Sequence, residues 1–306
     1  MTPHPSHQVT LVEVGLRDGL QAEPTVIPTA TKHDLVGALV AAGLRDIQIA
    51  SFVHPARVPQ MADAEALCAA LHPAPPGVTF SGLVLNVRGV ERALHTALTC
   101  LDVSIAPDEA QSQANAGLSV TAARGQAREM ITLAHAAGRT VRAGLQVVFG
   151  HRAPGDVPLD RVIEIATELA ALGVESVSLA DSTGMADPRT VARTVRAVGQ
   201  AIAPTPIVLH LHDTRGMGLA NVVAGLDAGV TVFDTSMGGM GGCPFIPGAT
   251  GNIATEDTAH LLQAMGVPTG IDVTAVSRLA RQMESLLGHR LDGKLHHLPE
   301  PSAQRP

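Results

Sequence analysis

Short runs rich in valine, isoleucine and leucine alternate with longer stretches of helical spacing along almost the whole chain. The apolar runs 9–14, 46–50, 79–85, 101–105, 140–149, 176–180, 207–212 and 231–235 have the length of strands buried on both faces. Between them, residues 31–42, 63–71, 90–99, 121–137, 159–172, 188–203 and 219–228 repeat apolar positions at helical spacing, with Gly43 and Gly173 as stops. The polar stretch 107–118 reads as a loop or irregular helix. Eight strand-then-helix units in about 270 residues predict an α/β chain folded as a (β/α)8 TIM barrel. A doubly wound sheet is the competing fold, but no glycine fingerprint follows the first strand. Residues 273–287 form one more amphipathic helix, a short C-terminal helical extension. The expected organisation is a flexible N-terminus 1–8, a catalytic barrel with that helix over 9–290, and a flexible tail 291–306. The pair His296-His297 falls in this polar, proline-bearing tail and is expected to be solvated.

Chemistry collects at the strand ends. The seventh strand closes on His210-Leu211-His212, and side chains two apart on a strand share a face. Both imidazoles facing one way begin a metal site; the plainer alternative is one buried and one exposed histidine. Arg17 and Asp18 follow the first strand and Asp181 follows the sixth. In a barrel these ends form one rim, where catalytic groups stand. Gln48, in the middle of the second strand, must find polar partners or line a cavity. After the eighth strand, Gly238, Gly239, Gly241 and Gly242 lead into Cys243. Such a backbone can close over the rim and deliver a thiol; a phosphate-cradling loop or a plain linker are the alternatives. Cys68 and Cys100 sit in apolar contexts and read as core. Two imidazoles with an aspartate and the amide oxygen of Asn252 make a mixed nitrogen and oxygen set, which suits Mg2+ or Mn2+, with Fe2+ as a further possibility.

Bulk properties narrow the setting. A net charge of −7 without a long basic run excludes nucleic acid and anionic membrane surfaces as partners. No apolar stretch is long enough to span a bilayer. The first eight residues lack the layout of a signal or transit peptide, so a cytoplasmic location is expected. Three scattered cysteines give no disulfide framework. With no tryptophan or tyrosine, the chain cannot recognise ligands chiefly by aromatic stacking.

Five stretches carry a family resemblance: 14–21 (VGLRDGLQ), 51–63 (SFVHPARVPQMAD), 178–184 (SLADSTG), 209–221 (LHLHDTRGMGLAN) and 238–257 (GGMGGCPFIPGATGNIATED). They span nearly the whole barrel in order, and the chain resembles the 3-hydroxy-3-methylglutaryl-CoA lyases, within the metal-dependent barrel lyases and Claisen-type synthases. The resemblance implies Asp18, His210, His212 and Asn252 around a divalent cation, Mg2+ or Mn2+. It implies Arg17 beside a developing enolate oxygen, Cys243 as the thiol of the closing loop, and Asp18 or His210 as the base. Asp181 and Glu256 match acidic positions near the site, and Asn86, Arg88 and Asn115 match positions that touch the CoA portion. The implied reaction is retro-Claisen cleavage of an acyl-CoA substrate to acetyl-CoA and acetoacetate, a step of leucine degradation, by a homodimer. Gln48 stands where the family usually has glutamate, Leu16 where proline is usual, and 145–155 diverges. These departures leave four alternatives open: a lyase for another 3-hydroxyacyl-CoA, a Claisen-type synthase, a pyruvate-releasing aldolase, or a metal-binding homologue of weak activity. The glycine–cysteine loop and the lack of room for a regulatory region count against a synthase.

Overall fold

The computed structural model describes residues 8–241 and 251–299. Eight parallel strands close in sequence order into a barrel. They are β1 (Thr10–Glu13), β2 (Asp46–Ser51), β3 (Thr79–Val84), β4 (Cys100–Ile105), β5 (Thr140–Leu145), β6 (Ser176–Asp181), β7 (Ile207–Leu211) and β8 (Val232–Thr235). Strand β8 pairs back onto β1, with Thr10 opposite Val232 and Glu13 opposite Thr235. The expected TIM barrel is the observed fold.

Helices wrap the outside: α1 (Thr29–Ala41), α2 (Ala64–Ala70), α3 (Val87–Leu94), α4 (Glu109–Ala116), α5 (Val120–Ala136), α6 (Leu159–Ala171), α7 (Pro188–Ile202), α8 (Gly218–Asp227) and α9 (Thr255–Ala264). The expected extension is α10 (Val273–Leu287). Strand alternation explains the core. Leu209 and Leu211 of β7 and Val177 and Leu179 of β6 are fully buried, while His210 and Ser178, on the opposite faces, line the interior cavity. Each such leucine contributes roughly 1.5–3 kcal/mol by leaving water.

Two local details have physical causes. The polar stretch 107–118 is helical because the Asp108 carboxylate accepts from Gln111 N at 2.8 Å and Gly117 closes the end with a φ of 71°. The fifth strand stops at Leu145, short of the expected Phe149. The chain turns out at Val147, φ 49°, and Val148 N donates to Ala180 O. Helix α9 was not legible in the spacing.

The expectation of a solvated tail is corrected. Over 291–299 the chain packs down: Leu291 is buried and His296 is 1% exposed. The Asp257 carboxylate accepts from Lys294 N and Leu295 N at 2.8 and 2.9 Å, and Glu256 Oε1 lies 2.8 Å from His296 Nδ1. Two acids in the first turn of α9 hold a segment nearly forty residues on, an anchorage that local composition does not reveal.

Candidate active site

The rim is assembled from strand ends. His210 closes β7 and His212 follows it, and both rings turn inward with their Nε2 atoms 3.2 Å apart. Asp18 comes from a single π-turn, Gly15–Gly19, just past β1. The turn is wound tightly because Arg17 N, Asp18 N and Gly19 N all donate to Val14 O. It delivers Asp18 Oδ2 to 3.7 Å from His210 Nε2 and 4.0 Å from His212 Nε2. Asn252, bridged to His212, donates from Nδ2 to Asp18 Oδ2 at 2.8 Å and to Met240 O at 3.1 Å. Its buried Oδ1 has no hydrogen-bond partner. The preceding Gly251 allows this approach, since a Cβ there would lie 2.1 Å from Gly239 O.

These donors fit a divalent cation. One ion with bonds of about 2.1 Å spans ligand atoms about 3–4 Å apart, the separations seen here. The orphaned Asn252 Oδ1 is a donor waiting for such a partner. On the far side of His210, Nδ1 lies 3.1 Å from Asp234 Oδ2. The imidazole therefore donates from Nδ1 and presents the Nε2 lone pair to the site. Burial acts to lower the His210 pKa, but the bond to Asp234 and the charge of Asp18 outweigh it and raise it.

Arg17 sets the local field. One guanidinium nitrogen lies 2.5 Å from Asp18 Oδ1, and Nε donates to Gln48 Oε1. Burial acts to raise the Asp18 pKa, yet Arg17, His210, His212 and the Asn252 bond together hold it well below the usual carboxylate range. The carboxylate is thus ionised and available as a ligand.

A cavity of about 170 Å3 opens beside these groups, lined by Arg17, Asp18, Gln48, His210 and His212 among others. Asn115, on α4, reaches it and donates to Gln146 Oε1 at 3.1 Å. The remaining sequence candidates stand elsewhere. Asp181 is buried outside the lining and binds Met185 N and Ala186 N, stapling the loop after β6; burial pushes its pKa up to about 6. Glu256 is fully buried and accepts from Gly238 N at 3.0 Å. Asn86 caps α3 by accepting from Gly89 N, and both it and Arg88 are exposed. Cys243 lies outside the described residues. Cys68 and Cys100 are buried as expected, their thiols pushed up to about 12 by burial.

Sequence reasoning missed Asp234, Gln146 and the Arg142–Asp102 ion pair, 3.0 Å long, at the cavity wall. The available signal was parity: each is a polar residue at an inward position of a barrel strand or just past its end.

A barrel with histidines, carboxylates and an arginine gathered on its C-terminal rim belongs to the TIM-barrel enzymes that work there. The HMGL-like family profile matches residues 8–283, and the chain belongs to that family. It is 37% identical over 292 residues to hydroxymethylglutaryl-CoA lyase YngG of Bacillus subtilis, covering 95% of this chain and 97% of that protein. It is 38% identical over 281 residues to the 3-hydroxy-3-isohexenylglutaryl-CoA/hydroxy-methylglutaryl-CoA lyase of Pseudomonas aeruginosa, covering 92% and 93%. The structure of an HMG-CoA lyase from Acinetobacter baumannii, in complex with coenzyme A and 3-methylmalate, superposes with a TM-score of 0.92. That match is at 33% identity and covers 100% of this chain and 99% of the other.

Proposed function

We propose that the protein is a divalent-metal-dependent carbon–carbon lyase that cleaves 3-hydroxy-3-methylglutaryl-CoA to acetyl-CoA and acetoacetate by retro-Claisen chemistry. The observation that carries this reading is the convergence of His210 Nε2, His212 Nε2 and Asp18 Oδ2 beside the Arg17 guanidinium. Asp18, His210, His212 and Asn252 are the residues that would hold Mg2+ or Mn2+, which supplies Lewis acidity to the substrate hydroxyl.

Asp18 and His210 are the groups able to take the carbinol proton. The C2–C3 bond then breaks and its electron pair moves onto the thioester as an enolate. Arg17, fixed by Gln48 and Asp18, neutralises the enolate oxygen. A proton from Cys243 or His210 completes acetyl-CoA. Asn115 reaches the cavity directly, while Asn86 and Arg88 stand past the end of β3, available to the CoA moiety. Asp181 and Glu256 act by holding loops. We expect a cytoplasmic homodimer, which sedimentation and cell fractionation check; among the described residues no helix is long and apolar enough to cross a membrane.

The test supplies purified protein with Mg2+ or Mn2+ and 3-hydroxy-3-methylglutaryl-CoA and follows acetoacetate and acetyl-CoA. Cleavage abolished by EDTA and by Cys243→Ala supports the reading. Absence of cleavage with metal bound refutes it.

A second reading, a lyase for a bulkier 3-hydroxyacyl-CoA, is favoured by one row of the cavity wall. Ser104, Gly144 and Ser178 stand in register on β4, β5 and β6. Gly144 needs no glycine for its backbone, and a Cβ there would meet nothing nearer than 3.5 Å. An interior strand glycine costs about 0.5–1 kcal/mol relative to alanine, so what it contributes here is room. In the same assay, cleavage of 3-hydroxy-3-isohexenylglutaryl-CoA that Gly144→Val selectively removes supports this wider pocket. Indifference of both substrates to Gly144→Val refutes it.

A further inference from the structure

A second histidine cluster lies outside the cavity. Glu284, near the end of α10, faces the short 3-10 turn Leu295–His297. Glu284 Oε1 is 3.4 Å from His296 Nε2 and 3.7 Å from His297 Nε2, and the three ligand atoms lie within 4.8 Å of one another. None of the three lines the active-site cavity.

The state of His296 makes this more than a surface coincidence. Its side chain is fully buried. Nδ1 stands 2.8 Å from Glu256 Oε1, so that nitrogen carries the proton and donates. Nε2 faces Glu284 Oε1 at 3.4 Å, so without a metal the ring is held as a cation between two carboxylates. A divalent ion that displaces the Nε2 proton takes the facing Glu284 carboxylate as a shared ligand. Separations of 3.4 and 3.7 Å match the edge of a tetrahedron around an ion with bonds of about 2.1 Å. The backing of His296 by Glu256 is the carboxylate–histidine arrangement that orients imidazoles on metals.

We infer that Glu284, His296 and His297 form a second divalent-metal site that takes a zinc-like cation. Two imidazoles and one carboxylate around a compact, four-coordinate position suit Zn2+ and its late first-row neighbours. Glu284 and His297 are each about a fifth exposed, which gives the ion entry and leaves its fourth position to water. His297 Nε2 lies 3.1 Å from both Leu291 O and the Arg290 guanidinium, so the ion replaces a proton shared with Leu291 O and the exposed Arg290 must swing outward. Glu284 Oε1 already accepts from Leu291 N at 2.7 Å, and a carboxylate oxygen can do both.

The site would act on the fold. Glu256, which holds His296, also accepts from Gly238 N, and Gly293 N donates to Gly238 O at 2.8 Å. An ion here fastens the C-terminal segment against the start of the glycine loop.

The test is Zn2+ binding by chelator competition to four full-length proteins: wild type, His212→Ala, His297→Ala and the double variant. His212→Ala disables the rim site, so the two sites are counted separately. The inference expects two, one, one and no equivalents, and a rise in melting temperature with Zn2+ in His212→Ala that His297→Ala removes. Co2+ in His212→Ala should give the intense visible absorption of a tetrahedral ion, lost on adding Glu284→Gln. Glu284→Gln serves equally in the Zn2+ count if His297→Ala fails to fold. A Zn2+ count and melting shift unchanged by His297→Ala and Glu284→Gln would overturn the inference.

Discussion

The two histidine clusters share one device and differ in everything around it. His210 and His296 each give Nδ1 to a carboxylate, Asp234 and Glu256, and each presents Nε2 to further donors. On the rim the donors stand on strand ends and a tight turn, beside an arginine and an open cavity. At the C-terminus they stand on a helix and a short turn, beside an open surface groove rather than an interior cavity. An oriented imidazole therefore prepares a ligand wherever it occurs. A neighbouring cavity and a cation for developing charge are what make the rim a candidate for catalysis.

Substitutions can break this contrast. The largest effect is expected at His212. His212→Ala should lower kcat by about a thousandfold, since a lost Lewis acid is worth several kcal/mol. His297→Ala should leave cleavage essentially unchanged at room temperature while lowering the melting temperature in Zn2+. Steady-state kinetics and thermal scans on the two variants check the pair. Next comes Arg17→Met, expected to cost about 10²–10³ in kcat with little change in metal affinity. A drop in Mn2+ affinity instead would make Arg17 a support for Asp18 rather than for the enolate.

Asp234→Asn sharpens the comparison by removing only the orienting charge. Metal affinity at the rim should fall about 10–100-fold, read by Mn2+ binding, with the Zn2+ affinity of the C-terminal cluster unmoved. The last effect is on stability rather than activity and concerns Glu13, fully buried below the rim. Its carboxylate accepts from Gly15 N, Met237 N and Thr255 Oγ1, tying the Asp18 turn to the start of the glycine loop. Burial pushes its pKa up to about 7. The folded form therefore keeps a proton that the unfolded chain has released. Stability should fall as pH rises from about 4.5 to 7, by roughly 3 kcal/mol from this group, and then level off. Urea unfolding of wild type and Glu13→Gln at pH 5 and 7.5 checks it: the variant should lose that part of the slope.

Legibility from sequence followed the range of the forces involved. The barrel was readable because buried parallel strands are apolar runs and the helices between them are amphipathic, both short-range patterns. His210 and His212 were readable because a spacing of two on a strand fixes a shared face. Asp234 was harder: one acid between Phe233 and Thr235 gains meaning only when β7 is placed beside it. Asp181 and Glu256 were identified as site acids by resemblance, but the structure places both against backbone amides outside the cavity lining. His296 was misjudged because its partner Glu256 lies 40 residues away and its surroundings in sequence are polar. Such residues are set by tertiary packing, which no local period encodes.

The central claim is that the rim donors hold the ion on which cleavage depends. Its most direct test titrates metal-free protein with Mn2+ while acetoacetate release from 3-hydroxy-3-methylglutaryl-CoA is followed alongside bound metal. The account predicts that activity rises in step with one tightly bound equivalent and that His212→Ala shows neither. Full activity without metal, or a His212→Ala protein that binds Mn2+ and turns over like wild type, would contradict it.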